Sequence, residues 1–305
     1  MLSENAERYV ALRQSLGFKL RKGARHLRSF VRHAAARGDT HVRAETAVSW
    51  AATAQSAAEC DSRLRDVVRF AEFLSAEDPA HEIPPAGLFA THISRPAPYI
   101  YSEDEIARLL DAAGRLRLQR DNPLRRELYI TLFGLIAATG LRISEALSLR
   151  FDDVLAGGVL RIRETKFRKS RLVPMHETVA AALDRYLDVR RRLPAADNHL
   201  FLSVQNTPFR ARAANYTFGC LLRMAKIAPD RLRRPRIHDL RHTFATRALE
   251  RCGAERRAVA RQFVALSTYL GHCEVKHTYW YLEATPDLMT AIAAAAESMM
   301  AEAAP

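Results

Sequence analysis

The stretch ATGLRISEALSLR, residues 138–150, decides how the second half of this chain folds. Residues 126–138 lead into it with an apolar spacing that predicts a helix. Thr139-Gly140 ends that helix, because glycine readily adopts the left-handed backbone of a C-cap. A short helix is predicted next, over residues 142–148. The stretch therefore carries an arginine, Arg142, and an acid three residues later, Glu145, just beyond the end of an apolar helix.

The residues that follow predict a small hairpin. Gly157-Gly158 leads into VLRIRET, where Leu160 and Ile162 alternate with arginines in the period of two that indicates a strand with one wet, basic face. KFRKS makes the turn and carries Lys166, and RLVPM returns as the second strand. Further helices are predicted over residues 176–192, 214–227, 238–250 and 288–303. The expected fold class is mainly α with a small antiparallel β-sheet in the second domain.

The first third of the chain predicts a separate helical domain, residues 1–92, in which apolar residues recur at three- and four-residue spacing. Four prolines between residues 84 and 98 predict a linker, because proline interrupts helices on both of its sides. Ser102 then begins a new helix, and Glu105 completes a capping box with it. The second domain is accordingly predicted to span residues 93–305.

The composition points to a polyanionic partner. The 47 lysines and arginines exceed the 34 acids, for a net charge of +13. No apolar run reaches the roughly 20 residues that a membrane helix needs, and the N-terminus lacks the apolar core of a signal peptide. The four cysteines form no CxxC pair, so neither a zinc ribbon nor a disulfide framework is indicated. The expected location is the cytoplasm, in association with the nucleoid.

Two further segments add histidines, a second arginine and tyrosines: HDLRHTFAT, residues 238–246, and LSTYLGHCEVKHTYWYLEATP, residues 266–286. Together with residues 138–150, they closely resemble the catalytic motifs of the tyrosine recombinases, the phage-integrase family. The resemblance covers residues 98–290, about two thirds of the chain. The segment TYWYLEATP most resembles the corresponding sequences of the transposon-borne and integron-like branch of that family.

Six positions match the catalytic residues of the family, and Glu145 matches its supporting acid. The six are Arg142 in TGLRxSE, Lys166 in the hairpin, His238 and Arg241 in HxLRH, His272 in LGH, and Tyr281 nine residues after His272. The resemblance implies a site-specific recombinase that cuts and rejoins DNA through a covalent 3′-phosphotyrosine, for integration or transposition of a mobile element. It implies no metal, ATP or other cofactor, because the phosphotyrosine ester conserves the bond energy.

The residue types suit the chemistry that the resemblance implies. Two guanidinium groups, Arg142 and Arg241, can grip the non-bridging oxygens of a phosphate in bidentate fashion, and His272 is expected to donate a further hydrogen bond. Tyrosine is a weak nucleophile with a pKa near 10, so Tyr281 needs a base or a strongly electropositive setting, and His238 is its expected acid/base partner. Lys166 is expected to protonate the leaving 5′-oxygen.

Two of these assignments have near neighbours as alternatives. Tyr279 lies two residues before Tyr281, and the nine-residue spacing from LGH favours Tyr281. Lys169 lies close to Lys166, and the turn lacks the glycine-flanked lysine that is common in the family.

A metal pair is the alternative for two histidines. His238 and His242 are four residues apart on one helix, but no third ligand is evident. Residues 251–266 are longer here than in compact members of the family, which predicts an extra loop or helical turn.

Basic residues concentrate near the predicted chemistry and are expected to contact DNA phosphates. The predicted DNA-binding residues are Arg161, Arg163, Arg168, Lys169, Arg171, Arg234 and Arg236. By resemblance, the two domains form a clamp around double-stranded DNA that carries specific recombination sites. The C-terminal helix either folds onto its own domain or docks on a neighbour in a homotetramer, with sister recombinases as further possible partners.

Two other functions compete with this interpretation. A type IB topoisomerase-like nicking-closing enzyme uses similar chemistry as a monomer, and synapsis of two sites distinguishes a recombinase from it. A catalytically idle DNA-binding regulator is the alternative from another class, but such a protein needs no tyrosine at this spacing.

Overall fold

The computed structural model describes residues 2–89, 97–118, 123–163, 170–192, 197–251 and 256–271, with residues 256–260 described as backbone only. The chain divides into two compact units, Met1–Arg95 and Pro96–Pro305. Each unit has its own hydrophobic core.

The described part of the first unit is helical. Its helices pack through a core that includes Leu27, Phe30, Trp50 and Phe70, all almost fully buried. Ser56 caps the last helix by accepting a hydrogen bond from the backbone N–H of Glu59. The four helices are α1 (Leu2–Ser15), α2 (Arg21–Ala36), α3 (Ala44–Ala52) and α4 (Ala57–Ser75).

In the described part of the second unit, an apolar helix lies at the centre of the core. Leu132, Phe133 and Ile136 of this helix are fully buried, and helices on several sides pack against it. The helices of the unit are α5 (Glu103–Gly114), α6 (Arg125–Thr139, the central one), α7 (Ile143–Leu147), α8 (Glu177–Arg191), α9 (Ala211–Met224), α10 (Ile237–Glu250) and α11 (Arg256–Leu270).

A small antiparallel sheet lies between α7 and α8, with strands β1 (Val154–Leu155), β2 (Val159–Ile162) and β3 (Arg171–Pro174) in that order. Leu160 pairs with Val173, and both are buried in the core. Ile162 pairs with Arg171, so this arginine also lies on the core face. Leu172, which lies between Arg171 and Val173 in the strand, points the other way and is 59% exposed. The alternation of apolar and polar side chains in β3 is thus reversed at residues 171 and 172, while Val173 keeps its place in the core.

The predicted fold class is confirmed: the described chain is mostly helical with one three-stranded antiparallel sheet. The predicted capping box of Ser102 and Glu105 is present, and Gly140 ends α6 in the left-handed region, with φ 63°. Strand β1 was not predicted, because two residues are too few to show a period. Most of residues 251–266, expected to hold an extra loop or turn, belong to α11.

The predicted C-terminal helix, residues 288–303, lies outside the described residues. Among the helices that are described, none is long and apolar enough to cross a membrane.

Candidate functional site

The turn between α6 and α7 positions the first predicted arginine. Gly140 closes α6, and Arg142 precedes the first residue of α7. The carboxylate of Glu145 accepts hydrogen bonds from the backbone N–H of Arg142 at 3.0 Å and from its Nη1 at 2.6 Å. Since the Arg142 side chain remains 34% exposed, Glu145 holds it in place without burying it.

A second arginine shares this carboxylate. Arg171 donates from Nη1 to Oε1 of Glu145 at 3.0 Å and from Nη2 to Oε2 at 2.9 Å, a bidentate pair. Burial raises the pKa of Glu145, but the hydrogen bonds and charge of Arg171, with help from Arg142, outweigh burial and lower the pKa to about 2. Glu145 is therefore ionised at neutral pH and joins α7 to strand β3.

The third arginine, Arg241, lies on α10 and is only 1% exposed. Its Nη1 donates to the carbonyl oxygen of Gly140 at 2.7 Å, and its Nη2 donates to that of Leu270 at 2.9 Å. Arg241 thus connects the C-terminal ends of α6 and α11, two helices far apart in the sequence.

The three arginines meet at the C-terminal end of α11. The last carbonyl groups of a helix have no partner within it and carry its partial negative charge. Here three consecutive carbonyl oxygens accept from three different arginines. Tyr269 accepts from Nε of Arg171 at 2.7 Å, Leu270 accepts from Arg241 at 2.9 Å, and Gly271 accepts from Nη2 of Arg142 at 3.4 Å. Three cationic side chains thereby converge at the residue before His272.

His238 lies in the first turn of α10, one turn before Arg241. Its imidazole is solvent-accessible, yet the protein atoms around it desolvate the ring. This desolvation, with the positive charges of Arg241 and Arg142, lowers the pKa of His238 to about 4. His238 is therefore neutral at pH 7 and can accept a proton. The ring of His242 meets it edge to face, with centroids 4.6 Å apart, and no third ligand completes a metal site with them among the described residues.

Two arginines on the wet face of the sheet share one acid. Asp153 is 2% exposed, and its Oδ1 accepts from Nε of Arg161 at 3.4 Å and from Nε of Arg163. Both arginine side chains remain about two-fifths exposed, at 41% and 43%. Asp153 therefore anchors these side chains near their guanidinium groups while leaving donors available to solvent.

The basic segment before α10 contains two arginines in different settings. Arg236 donates from Nη2 to Asp239 at 3.0 Å, and Asp239 also accepts from the backbone N–H of Arg236 at 2.7 Å. Arg234 is exposed and has no hydrogen bond or ion pair with the rest of the described chain. Of the two, Arg234 is the one without a carboxylate partner among the described residues.

The structure thus brings Arg142, Glu145, His238 and Arg241 together and adds Arg171 to them. The remaining predicted site residues lie outside the described residues: Lys166, Arg168, Lys169, His272, Tyr279 and Tyr281.

One three-residue group in the described chain has the side chains for a metal ion. His41, Asp78 and His81 place their ligand atoms within 4.8 Å of one another. However, Nδ1 of His81 accepts the backbone N–H of Val42 at 3.0 Å, so the proton of the neutral ring lies on Nε2, the nitrogen 4.0 Å from Asp78. A metal bound at Nε2 would require loss of the Val42 hydrogen bond. The group is better explained as a set of hydrogen bonds that connects residues 41 and 42 to residues 78 and 81 within the first unit.

Sequence reasoning missed Asp153, Asp239 and the role of backbone carbonyl groups. Asp239 carries a readable signal, because an acid three residues after the residue that caps a helix bonds back to the capping N–H. Asp153 carries the same signal, because it lies three residues after Arg150 and accepts from the backbone N–H of Arg150 at 3.1 Å. Its ion pairs with Arg161 and Arg163 carry no such signal, since they depend on how the sheet folds. The carbonyl groups at the end of α11 have no side-chain signature at all.

Comparison with known proteins identifies the family. The model of the phage integrase family matches residues 100–287. The protein named "Putative integrase/recombinase y4rB" from Sinorhizobium fredii is 40% identical over 292 residues, which cover 93% of this chain and 93% of that protein. The chain belongs to the phage integrase family. It is a site-specific recombinase of the tyrosine class, and the resemblance found in the sequence is confirmed.

Other members of the family extend the comparison. The tyrosine recombinase XerD of Staphylococcus haemolyticus is 29% identical and aligns with 75% of this chain and 72% of its own length. Among solved structures, the Tn1549 transposon integrase in complex with circular intermediate DNA is similar with a TM-score of 0.64 at 19% identity, covering 95% of this chain and 98% of that chain. XerH bound to palindromic difH substrate has a TM-score of 0.64 at 16% identity, covering 90% and 78%. These structural similarities concern the fold.

Proposed function

We propose that this recombinase binds double-stranded DNA at specific sites and exchanges strands through a 3′-phosphotyrosine on Tyr281. The reaction would integrate or transpose a mobile element. The observation that supports the proposal best is the convergence of Arg142 and Arg241 on adjacent carbonyl groups, those of Gly271 and Leu270, immediately before His272. A scissile phosphate near this turn would meet the partly exposed guanidinium group of Arg142 and lie close to the buried charge of Arg241.

The two arginines would stabilise charge on the phosphate as it develops. In the transition state, the non-bridging oxygens carry more negative charge than in the ground state, so donors fixed beforehand favour the transition state. Arg142 suits this role because the hydrogen bond from its Nη1 to Glu145 fixes the orientation of the guanidinium group. The side chain is still 34% exposed, so a phosphate can reach it. Arg241 is held by two carbonyl oxygens and would contribute its charge from a buried position.

In the proposed covalent step, one residue accepts the proton of the nucleophile and another protonates the leaving oxygen. The phenolic oxygen of Tyr281 attacks phosphorus, its proton passes to the neutral imidazole of His238, and the bond between phosphorus and the 5′-oxygen breaks. Lys166 donates a proton to that oxygen. The products are a 3′-phosphotyrosine and a free 5′-hydroxyl, and rejoining is the same step in reverse. Because its pKa is lowered to about 4, His238 is neutral before DNA binds, which is the state that a proton acceptor requires.

DNA is the partner that the charge and the relatives both support. The net charge is +13, and the exposed basic side chains of the catalytic unit suit phosphate contacts. The structures of XerH and of the Tn1549 transposon integrase are described as complexes with DNA. We further propose a homotetramer on two duplexes, with sister recombinases as alternative partners.

The decisive experiment uses a nicked suicide duplex that carries the end sequences of the mobile element. Wild type, Tyr281→Phe and Tyr279→Phe are incubated with it, and covalent adducts are resolved on a denaturing gel. The expected result is an adduct from wild type and Tyr279→Phe and none from Tyr281→Phe. Loss only in Tyr279→Phe would move the nucleophile by two residues. Absence of an adduct from all three proteins, despite measured binding to the same duplex, would contradict the proposed chemistry.

A second assay separates recombination from simple nicking and closing. Two duplexes of different length, each with one site, are mixed with the protein. Recombinant duplexes of new length are expected from a recombinase, whereas a topoisomerase-like enzyme would relax supercoiled plasmid without producing them.

A further inference from the structure

Arg171 occupies an unusual place for an arginine. It lies on the core face of β3, opposite Ile162 and on the same face as Val173, while Leu172 points to solvent. Exchanging residues 171 and 172 would satisfy the hydrophobic alternation of the strand better. A buried cation is unfavourable unless it is paired and hydrogen-bonded, so some requirement other than core packing keeps an arginine here.

Each of the three guanidinium nitrogens of Arg171 donates a hydrogen bond to a protein atom. Both Nη atoms bond to Glu145, and Nε bonds to the carbonyl oxygen of Tyr269 at 2.7 Å. The side chain is 11% exposed, and the carboxylate that it binds is 8% exposed. To reach a DNA phosphate, Arg171 would have to leave Glu145 buried without its principal partner. The geometry therefore argues against a phosphate contact, the role that the sequence predicted for it.

These contacts join three segments that carry the predicted catalytic residues. Glu145 holds Arg142, α11 is followed in the sequence by His272, and β3 follows the segment 164–169 that contains Lys166. A further hydrogen bond connects α11 to β3, from the hydroxyl of Tyr269 to the carbonyl oxygen of Pro174 at 3.2 Å. Arg171 also packs so closely on the turn that a Cβ at Gly271 would lie 2.8 Å from its Nη1.

We propose that Arg171 is a positioning residue for strand cleavage, which acts by fixing Glu145, and through it Arg142, against the end of α11. This inference rests on the proposed function, because it concerns the orientation of the phosphate clamp. A planar fork with donors on three nitrogens is needed to bind both carboxylate oxygens and a carbonyl oxygen together. Lysine has one ammonium group and cannot replace that geometry, although it keeps the charge beside Glu145.

The test compares Arg171→Lys with wild type on two suicide duplexes. One has an ordinary scissile phosphate, and the other has a methylphosphonate there, which lacks the negative charge that the arginines stabilise. Adduct formation by Arg171→Lys is expected to be about 10- to 100-fold slower on the phosphate, because misplacing a catalytic group by about 1 Å has effects of that size. The loss on the methylphosphonate is expected to be much smaller. Equal losses on both duplexes would show a merely structural role and overturn the proposal.

A double-mutant cycle tests the route through Glu145. Glu145→Gln alone is expected to slow cleavage of the phosphate duplex, and adding Arg171→Lys to it is expected to cause little further loss, since the two residues act as one unit. Independent, multiplicative losses would overturn the proposed route.

DNA affinity separates this proposal from the phosphate-contact interpretation. Arg171→Lys and Arg171→Gln should bind the duplex with unchanged affinity and unchanged salt dependence. Weaker binding by Arg171→Gln with a salt slope reduced by about one, and normal cleavage at saturating DNA, would instead identify a phosphate contact. Arg115→Lys is the control, because this exposed arginine at the C-cap of α5 also pairs with an acid, Asp111, but lies outside the site.

Failure of the inference is distinguishable from failure of the proposed function. If wild type forms no adduct on either duplex, the proposed function fails. If wild type forms the adduct and Arg171→Lys matches it, only the role of Arg171 is refuted. Unfolding midpoints of all variants establish that each measured rate belongs to a folded protein.

Discussion

Arg241 donates a hydrogen bond to the carbonyl oxygen of Gly140 at 2.7 Å across a sequence separation of 101 residues. Gly140 has φ 63° and ψ 19°, a left-handed conformation that ends α6 and turns the chain toward Arg142. The same glycine therefore ends a helix, begins the turn that carries one of the two predicted catalytic arginines, and accepts a hydrogen bond from the other. A side chain at this position would disturb all three features.

Gly140→Ala is expected to destabilise the protein more than Gly157→Ala. Both glycines have positive φ, and an alanine in that region costs about 1–2 kcal/mol. A Cβ at Gly140 would also lie 2.6 Å from Cδ1 of Phe244 and 3.0 Å from Cδ2 of Leu270, whereas a Cβ at Gly157 would meet nothing within 4 Å. We expect a loss of about 3 kcal/mol or more for Gly140→Ala, because overpacking adds about 1–3 kcal/mol.

Urea unfolding curves of the two variants and wild type measure this difference in the free energy of unfolding. Gly157→Ala serves as the matched control for backbone strain alone. Equal losses would mean that Phe244 and Leu270 move aside without cost, and the close packing of the turn would then have no energetic role.

The acidic limb of the cleavage rate is expected near pH 4 rather than near pH 6.5, because the pKa of His238 is lowered to about 4. The lowered pKa means that the ring of His238 stays neutral in the folded protein, so we expect it to remain able to accept a proton as the pH falls from 8 to 5. At pH 5, a histidine with the ordinary pKa of about 6.5 would be only about 3% neutral, which would slow the reaction about 30-fold.

The measurement is the rate of adduct formation at subsaturating DNA between pH 5 and 8, since this rate reports the free enzyme. Glu145 does not titrate in this window, because its pKa is about 2. The same shift has a consequence for stability: protonation of His238 favours the unfolded chain, so its contribution is present above pH 6.5 and is lost as the pH falls toward 4. A rate that declines from pH 6.5 downward would contradict the neutral, desolvated ring.

Arg234→Gln is expected to weaken DNA binding and to reduce the salt slope of binding by about one, as loss of one phosphate contact does. Arg234 is exposed without a partner among the described residues, so its whole charge is available to DNA. Arg236→Gln is expected to reduce the slope less, because Arg236 is already paired with Asp239 at 3.0 Å.

Affinities for the suicide duplex at several salt concentrations provide the slopes, and Arg115→Gln, at the C-cap of α5, is the control. If Arg236→Gln had the larger effect, the pair with Asp239 would have to open on DNA. If neither variant changed the slope, the basic segment before α10 would not contact the phosphate backbone.

Local chemistry made much of the second unit predictable. The capping box of Ser102 and Glu105, the glycine that ends α6, and the period-two residues of β2 each depend on neighbours in the sequence, so each was readable from the sequence. The family motifs were equally readable, because a short motif retains its residues and spacing in any member. The length of α11 was not, since residues 251–266 lack a clear signal for a helix start.

The sequence by itself determined the class of protein: mainly helical, with a small antiparallel sheet and the motifs of a tyrosine recombinase. Only the tertiary structure decided the partners of its arginines. Arg161 and Arg171 both belong to the predicted hairpin and look alike in the sequence. However, Arg161 lies on the wet face, whereas Arg171 is on the core face, 11% exposed, and paired with Glu145. The reason is physical: Glu145 and the end of α11 approach β3 only when the unit is folded, and a buried carboxylate and helix carbonyl groups then bind the cation that lies beside them.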